Sequence, residues 1–452
     1  MTTHASLKRL LLAAVILAAP LIAAMPQDKI DDVGIKFVGM KAVKIAVAEL
    51  QFTAATAQSA NLAKVFNDTL RNDLDFSGNL DLVSQSFTPR GTFAKPADIK
   101  VEDWTAPRVA AQYVVYGQLS LSGNRFNALG YLRDLSTETD SINTNFPAAY
   151  DVDGARDAAH RFADRILEQL GFGKGLGRTS IAFASNRAGD KEIYIMDFDG
   201  NNQRKLTAIR FIAIAPRWSP IDDRIAFTAW RPTGSNAQVE IISSSGDRHS
   251  FEQASGFANT VPAWSPDGKS IVYASTRDNG GLNTEIYIAN ADGSNIKRLT
   301  NSPSVDTSPA INPATGAQIA FVSKRSGTLE LYVMDSDGTN VTRITDEGGE
   351  VANPSYSPDG KMIAFAWLKP KSGGFEIYLY DVGMRKFNRL TNEEGNNERP
   401  AWAPDGKHIA FESNRTGTTQ IYSMTVNGSK VQQLTTLGTK NEGPTWSGFP
   451  AR

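Results

Sequence analysis

Four histidines are the first residues to consider for acid–base or metal chemistry, because imidazole titrates near neutral pH and binds zinc. They are His4, His160, His249 and His408. No HExxH pair occurs and the chain has no cysteine, so a zinc site would need ligands from scattered positions. His160 lies in a predicted helix and His408 beside a predicted strand, and we expect both on the solvated surface. The histidines therefore predict neither a catalytic base nor a metal site.

Closely spaced carboxylates and hydroxyls are the next candidates. Residues 197–200 (DFDG) and 335–338 (DSDG) suggest calcium, but they lack the flanking helices and the ligand series ending in Glu of a calcium loop, so hairpin turns are favoured. A glycosidase needs a pair of carboxylates, and no pair is singled out by spacing. No GxSxG elbow is present for a serine nucleophile. We predict no catalytic residue and no cofactor.

The elements that position these residues are predicted from a short sequence motif, here called a phrase, that recurs six times. It reads PRWSP, PAWSPDGKSIVY, PAINPATGAQIAF, PSYSPDGKMIAF, PAWAPDGKHIAF and PTWSG, beginning at Pro216, Pro262, Pro309, Pro354, Pro400 and Pro444. Successive prolines are 46, 47, 45, 46 and 44 residues apart, with strand phrases such as EIYIMD and RKLT between them. A period of this length, made of short strands and turns, is typical of propeller blades. The fold class we predict is an all-β six-bladed propeller preceded by a small α/β domain.

The ends of the repeat array predict how the ring closes. Residues 181–183 (IAF) open the array without a preceding PxW phrase, and residues 444–446 (PTW) end it without a following IAF. We expect the C-terminal segment to supply the inner strand of the first blade, because an open ring would leave two exposed sheet edges. The large side chain of each PxW phrase should fill space between blades; these side chains are Trp218, Trp264, Ile311, Tyr356, Trp402 and Trp446.

The N-terminal part of the chain has two regions with different sequence patterns. Lys8 and Arg9, the apolar run 10–24 and small residues at its end are typical of a secretory signal peptide, residues 1–24. The run is too short to cross a bilayer core of ~30 Å, so we expect no membrane insertion and an exported, periplasmic protein. Residues 25–172 mix strand patterns with helical spacing at 61–78 and 154–171, which predicts an α/β domain. A glycine-rich linker, 173–178, precedes the propeller, 179–449.

The net charge is −1, from 47 basic and 48 acidic residues, and no long run has a single sign. This balance argues against a nucleic-acid partner held by bulk charge. We also expect the protein to be a monomer.

Polar residues that differ from blade to blade precede the PxW strands, where the chain turns toward the central channel. Residues that differ from one repeat to the next on a repeating scaffold are candidates for a binding rim. They could instead merely solvate the channel mouth. The predicted rim residues are Asn259, Thr260, Asp306, Thr307, Asn353, Glu398, Arg399 and Glu442.

With its exported start, small α/β domain and six PxWSPDGxxIAF repeats, the chain resembles the TolB family of the bacterial Tol–Pal system. Related repeats occur in prolyl-oligopeptidase-type enzymes, but those have a hydrolase domain with a nucleophile elbow. The resemblance implies a non-enzymatic periplasmic protein that acts in outer-membrane invagination during cell division and in outer-membrane integrity. It implies that the rim binds the peptidoglycan-associated lipoprotein Pal. It also implies that an N-terminal segment binds inner-membrane TolA; that segment is Met25, Pro26, Gln27, Asp28, Lys29 and Ile30.

An alternative of another class stays open from the residues alone. Some propellers are glycosidases, so an exported enzyme or glycan-binding protein could use channel carboxylates such as Asp306, Glu398 and Glu442.

Overall fold

The computed structural model describes residues 43–53, 56–231, 236–249, 251, 256–278, 283–392, 395–436 and 438–450. The predicted signal peptide and the Met25–Ile30 segment lie outside the described residues. Across the described ranges, no helix combines the length and the apolar character needed to cross a membrane.

The N-terminal region is a mixed sheet with strand order β3-β1-β4-β5-β6, in which β2 also pairs with β4. Its elements in chain order are β1 (Val43–Val47), β2 (Gln51–Phe52), α1 (Ala57–Phe76), β3 (Leu80–Leu82), a 3-10 turn (Pro96–Asp98), α2 (Val101–Thr105), β4 (Tyr113–Ser122), β5 (Arg125–Asp134), β6 (Thr139–Ala149) and α3 (Val152–Gln169). The α/β prediction for this region is confirmed.

The two long helices begin at side-chain caps and pack on the sheet. Thr56 and Ser59 form a capping box at the start of α1, and the Asp151 side chain accepts from the Gly154 N–H at the start of α3. Apolar side chains four residues apart on α1, such as Phe66 and Leu70, are fully buried between the sheet and α3. The sequence pattern did not identify β6, because its composition is mostly polar and only one of its faces is buried.

The described residues from Ser180 onward form six four-stranded antiparallel blades, of which the first two are also joined by a short parallel pairing of Lys191 with Ile212. This confirms the propeller prediction. The strands that follow one another within each blade are β7 (Ser180–Ala188), β8 (Asp190–Asp197) and β9 (Arg204–Lys205) in blade 1; β10 (Ile212–Trp218), β11 (Arg224–Trp230), β12 (Gln238–Ser243) and β13 (Arg248–His249) in blade 2; β14 (Asn259–Trp264), β15 (Ser270–Ser275), β16 (Glu285–Asn290) and β17 (Lys297–Arg298) in blade 3; β18 (Asp306–Ile311), β19 (Gln318–Ser323), β20 (Glu330–Asp335) and β21 (Thr342–Arg343) in blade 4; β22 (Glu350–Tyr356), β23 (Met362–Leu368), β24 (Glu376–Asp381) and β25 (Lys386–Arg389) in blade 5; and β26 (Asn397–Trp402), β27 (His408–Ser413), β28 (Gln420–Thr425) and β29 (Gln432–Gln433) in blade 6.

The last strand, β30 (Asn441–Trp446), pairs antiparallel with β7 and gives blade 1 its inner strand. Trp446 lies opposite Ile181, and its indole Nε1 donates to Thr179 Oγ1 at 2.9 Å. It is 6% exposed within an apolar cluster shared by blades 1 and 6. The first and last blades are thereby joined, and no inner-strand edge of blade 1 is left open.

Every inner strand contains a β-bulge at the residue before its proline. The register with the second strand shifts at this point in all six blades. The residue there has a positive φ; these residues are Ala215, Val261, Ser308, Asn353, Arg399 and Gly443. For the five that are not glycine, this conformation costs about 1 kcal/mol each. The bulge recurs in every blade, which makes it a regular part of the scaffold.

Candidate functional site

The central channel has two different mouths, because all six inner strands run through it in the same direction. At one mouth, which we call the strand-start mouth, the inner strands begin. The other, the turn-side mouth, is formed by the ends of the inner strands and by the turns that follow them. Seven of the eight predicted rim residues belong to the first half of an inner strand, at the strand-start mouth, and the eighth, Asn353, is the middle residue of β22.

The predicted rim residues differ in how far solvent reaches them. Thr260, Thr307, Asn353, Glu398 and Arg399 are half-buried. Asn259 and Asp306 have no exposed surface, and Glu442 is 5% exposed. The structure therefore offers the first five side chains to a partner, whereas Asn259 and Asp306 lie behind them.

In four blades the inner strand begins with a buried polar residue, and these residues belong to a lattice of polar side chains within and between blades; they are Asn259, Asp306, Asn397 and Asn441. Asn397 accepts from Arg415 Nη2 at 2.8 Å and donates to Glu376 Oε2 of the preceding blade at 3.0 Å. Asp306 stands at the equivalent position of blade 4 and accepts from Arg325 Nη2 at 2.7 Å. The Asn397–Glu376 bond joins blade 6 to blade 5, whereas the Asp306–Arg325 pair lies within blade 4. Both contacts give a partner to a side chain that has no access to water.

A charged network occupies the strand-start mouth around Glu442. The Glu442 carboxylate binds Lys191 Nζ at 2.5 Å and Lys440 Nζ at 2.9 Å. Burial opposes ionisation of this carboxyl, but the two ammonium groups outweigh it and lower the pKa of Glu442. Beside it, Arg399 Nη1 contacts both oxygens of Glu412 at 2.9 Å. Glu412 and Glu442 are thus already neutralised within the protein.

Glu398 is the exception in this network. Within the described part of the chain, its carboxylate has no hydrogen-bond or ion-pair partner. Burial, together with the nearby charge of Glu412, raises the pKa of Glu398 above its ordinary value. Half-buried and unpaired, this carboxylate can accept hydrogen bonds from a basic or donor group of a partner.

Two histidines were expected at the surface, and that expectation is wrong. His408 is 1% exposed; its Nδ1 lies 2.6 Å from Asp405 Oδ2 and its Nε2 lies 2.8 Å from the carbonyl of Phe76. His160 on α3 is 4% exposed, with Nδ1 2.6 Å from Asp73 Oδ2. Both lie where the N-terminal region contacts the propeller. A sequence signal existed for His408, because the equivalent blades have Ser270 or Met362 there.

The charge of His160 is set by its neighbours. Burial by itself would lower the pKa of His160, but the carboxylates of Asp73 and Asp199 raise it to about 9 in spite of the nearby guanidinium of Arg156. Asp73, whose Oδ2 lies 2.6 Å from Nδ1, thereby favours the protonated form of the ring. Arg156 itself pairs with Asp199 of the β8–β9 turn at 2.8 Å, which is an ionic contact between α3 and blade 1.

The DxDG segments form hairpin turns. In the second of them, Asp337 Oδ1 accepts from the Thr339 hydroxyl at 2.7 Å, and Asp335 accepts from Asn340 at 2.6 Å. Over the described ranges, no group of three or more His, Asp or Glu side chains is placed to hold a metal ion.

Comparison with known proteins assigns both parts of the chain to one family. The family model described as the TolB beta propeller domain matches residues 167–370 and 349–449, and the TolB amino-terminal domain model matches residues 31–140. A protein named "Protein TolB homolog" from Chlorobium chlorochromatii is 29% identical over 282 residues, which is 62% of this chain and 61% of that protein. "Tol-Pal system protein TolB" from Desulfosudis oleivorans is 30% identical over 58% of each chain.

The matched part thus spans about 60% of the length of these curated relatives. Among solved structures, TolB from Acinetobacter baumannii superposes with a TM-score of 0.76 over 93% of this chain and 99% of that one. At 23% identity this similarity shows a common fold.

Proposed function

This chain belongs to the TolB family, and from that premise we propose that it is a protein-binding adaptor of the Tol–Pal system. In this proposal it works in the periplasm and links the lipoprotein Pal to inner-membrane TolA. Its role is in outer-membrane invagination during division and in outer-membrane integrity. It is proposed to have no catalytic activity of its own.

One observation supports the strand-start mouth as the Pal-binding surface. The six inner strands repeat closely in their buried positions, yet their half-buried polar positions present different groups: two hydroxyls, an amide and the unpaired Glu398 carboxylate. A scaffold that repeats and a rim that does not are the features expected of a specific binding face on a propeller. A hydrogen-bond donor on Pal, placed against Glu398, would replace the water molecules that still solvate this half-buried carboxylate.

The alternative of a glycan-processing enzyme finds no comparable support. Asp306 is paired with Arg325, and Glu442 with two lysines. An acid or nucleophile of a glycosidase must be free to exchange a proton or attack the sugar. Of the three carboxylates considered, only Glu398 is unpaired, so the pair of free carboxylates that a glycosidase needs is not formed by these three residues.

The first experiment is calorimetric titration of the protein with the soluble domain of a Pal-like lipoprotein. We expect saturable binding that Glu398→Gln weakens about tenfold, corresponding to ~1.4 kcal/mol. Glu49→Gln is the matched control, because Glu49 is exposed in the N-terminal region, away from the mouth. No binding by the unaltered protein would refute the adaptor role. An affinity for Pal that is unchanged by Glu398→Gln would refute the rim assignment and leave the adaptor role intact.

The proposed TolA-binding segment, Met25–Ile30, is tested separately. The same titration is repeated with TolA and with a variant lacking residues 25–36. Loss of TolA binding in the truncated variant is the expected result, and unchanged TolA binding would place that contact elsewhere. A change in Pal affinity on truncation would further show that the segment and the mouth are coupled.

A further inference from the structure

The turn-side mouth of the channel opens into a cavity of about 390 Å³. Its walls are the ends of the inner strands, the prolines of the following turns, and Phe449, which follows the last inner strand. None of the predicted rim residues lines it. This cavity is therefore a different feature from the strand-start mouth, and a ligand bound in it would not require Pal to be bound there.

A ring of six residues, one from each inner strand at the position after its proline, faces this cavity. Its members are Arg217, Ala263, Ala310, Ser355, Ala401 and Thr445. Five of them are small and uncharged, and Arg217 alone is long and cationic. Of the described residues that line the cavity, Arg217 is the one that carries a charge.

Arg217 lacks the polar side-chain partner that other arginines of the propeller have. Its side chain is half-buried, and Nη1 donates to the carbonyl of the adjacent Pro216 at 2.8 Å. Among the described residues, no carboxylate affects the ionisation of Arg217. Its charged neighbour is another cation, Arg399, which is already bound to Glu412. Arginines elsewhere in the propeller, such as Arg325, pair with a carboxylate or an amide.

The setting of Arg217 leaves it charged but poorly compensated. Burial, with repulsion from Arg399, lowers the pKa of Arg217 to about 10, so the guanidinium is still protonated at neutral pH. A partly desolvated cation without a counter-charge is costly, and a guanidinium presents a planar fork of donors suited to carboxylate and phosphate. Its backbone is held in place, because Trp264 Nε1 donates to the Arg217 carbonyl at 3.0 Å.

The remaining wall of the cavity is apolar. It consists mainly of prolines and of the indole and phenol rings of Trp264, Tyr356, Trp402 and Trp446. A volume of about 390 Å³ is within the range of small-molecule pockets, in which an apolar wall and a few polar groups act together.

We propose that the turn-side cavity is a binding site for a small organic anion. The carboxylate or phosphate group of that anion pairs with Arg217, and its apolar part contacts the proline and aromatic wall. The shared chemistry is an oxyanion joined to a compact hydrophobic group.

Benzoate and phenyl phosphate are the two probes, and benzamide is the neutral analogue of benzoate. Binding is measured on the whole protein by calorimetry, with tryptophan fluorescence as a second signal because indole rings line the wall. We expect at least one anion to bind with a Kd of about 1 mM or tighter. The tighter of the two identifies the oxyanion, and benzamide should bind at least tenfold more weakly than benzoate if the carboxylate is preferred.

Arg217→Met removes the charge while keeping much of the length, and we expect it to weaken anion binding at least tenfold. Arg217→Gln is a second neutral variant in case the first does not fold, which thermal unfolding will report. Arg217→Lys should retain part of the affinity. Arg90→Met, at an exposed arginine of the N-terminal region, is the matched control and should bind as the unaltered protein does.

Three results would overturn the proposal. The first is that neither anion binds at concentrations up to about 10 mM. The second is that folded Arg217→Met or Arg217→Gln binds as tightly as the unaltered protein. The third is that Arg90→Met loses as much affinity as the Arg217 variants, since the effect would then reflect overall charge and not the cavity.

Discussion

Asp306 allows the role of the buried polar lattice at the starts of the inner strands to be tested with a single residue. Its side chain has no exposed surface and accepts from Arg325 Nη2 at 2.7 Å. Burial, with a smaller contribution from the carboxylate of Glu285, raises the pKa of Asp306. Asp306 therefore has one favourable charged neighbour and one unfavourable one.

Two substitutions separate the pairing from the charge. Asp306→Ala leaves the Arg325 guanidinium without its partner. Removing one member of a buried pair costs about 3–5 kcal/mol, and we expect about 3 because Arg325 is 27% exposed. Asp306→Asn keeps the acceptor and adds a donor toward Glu285. In blade 6, Asn397 already makes this arrangement with Arg415 and Glu376. We therefore expect the asparagine variant to stay within about 1 kcal/mol of the unaltered protein, or to be more stable.

The assay is equilibrium unfolding in urea, followed by circular dichroism and by tryptophan fluorescence. Coincident transitions in the two signals are needed before free energies are compared. An Asp306→Asn variant as unstable as Asp306→Ala would refute the reasoning, because it would show that the charge itself is required. An Asp306→Ala variant of unchanged stability would show that the Arg325 contact contributes nothing.

Three further substitutions test the ring closure and the contact between the N-terminal region and the propeller. Trp446→Ala empties a buried site on the closing strand, and we expect urea unfolding to show a loss of about 3–5 kcal/mol. The pKa of His160, about 9 in the folded state, lies above the ordinary 6.5. Its pairing with Asp73 therefore stabilises fully below pH ~6.5, and this contribution, at most about 3 kcal/mol, is lost as the pH rises through 9. We expect His160→Gln to reduce the change in unfolding free energy with pH over that pH range. Lys430→Met removes an exposed ion pair with Asp75, and we expect a change below about 1 kcal/mol in the same assay.

Each of these expectations has a result that contradicts it. A Trp446→Ala variant that loses less than about 1 kcal/mol would show that β30 is not held as the structure has it. A pH dependence that is the same with and without His160 would mean that its proton affinity does not change on folding. A large loss from Lys430→Met would show that this surface pair is far better shielded from solvent than its exposure indicates.

The amino-acid sequence by itself determined the architecture of this protein. The PxWSPDGxxIAF period indicates strands and turns because turn residues and alternating apolar residues act through local geometry. A unit repeated at constant spacing can bury its faces only against copies of itself, so the ring follows from the period. The caps of α1 and α3 are similarly local, although both helices begin earlier than their apolar spacing indicates.

Only the tertiary structure decided which polar side chains are buried, which are paired and which are free. Asp306 and Glu398 look alike in the sequence, as acidic residues near the start of an inner strand, yet the first is buried against Arg325 and the second is unpaired. His408 and Phe76 are 332 positions apart and share a hydrogen bond. A residue's type does not specify its neighbours from distant parts of the chain. Those neighbours set solvation and charge, and therefore what each side chain can bind.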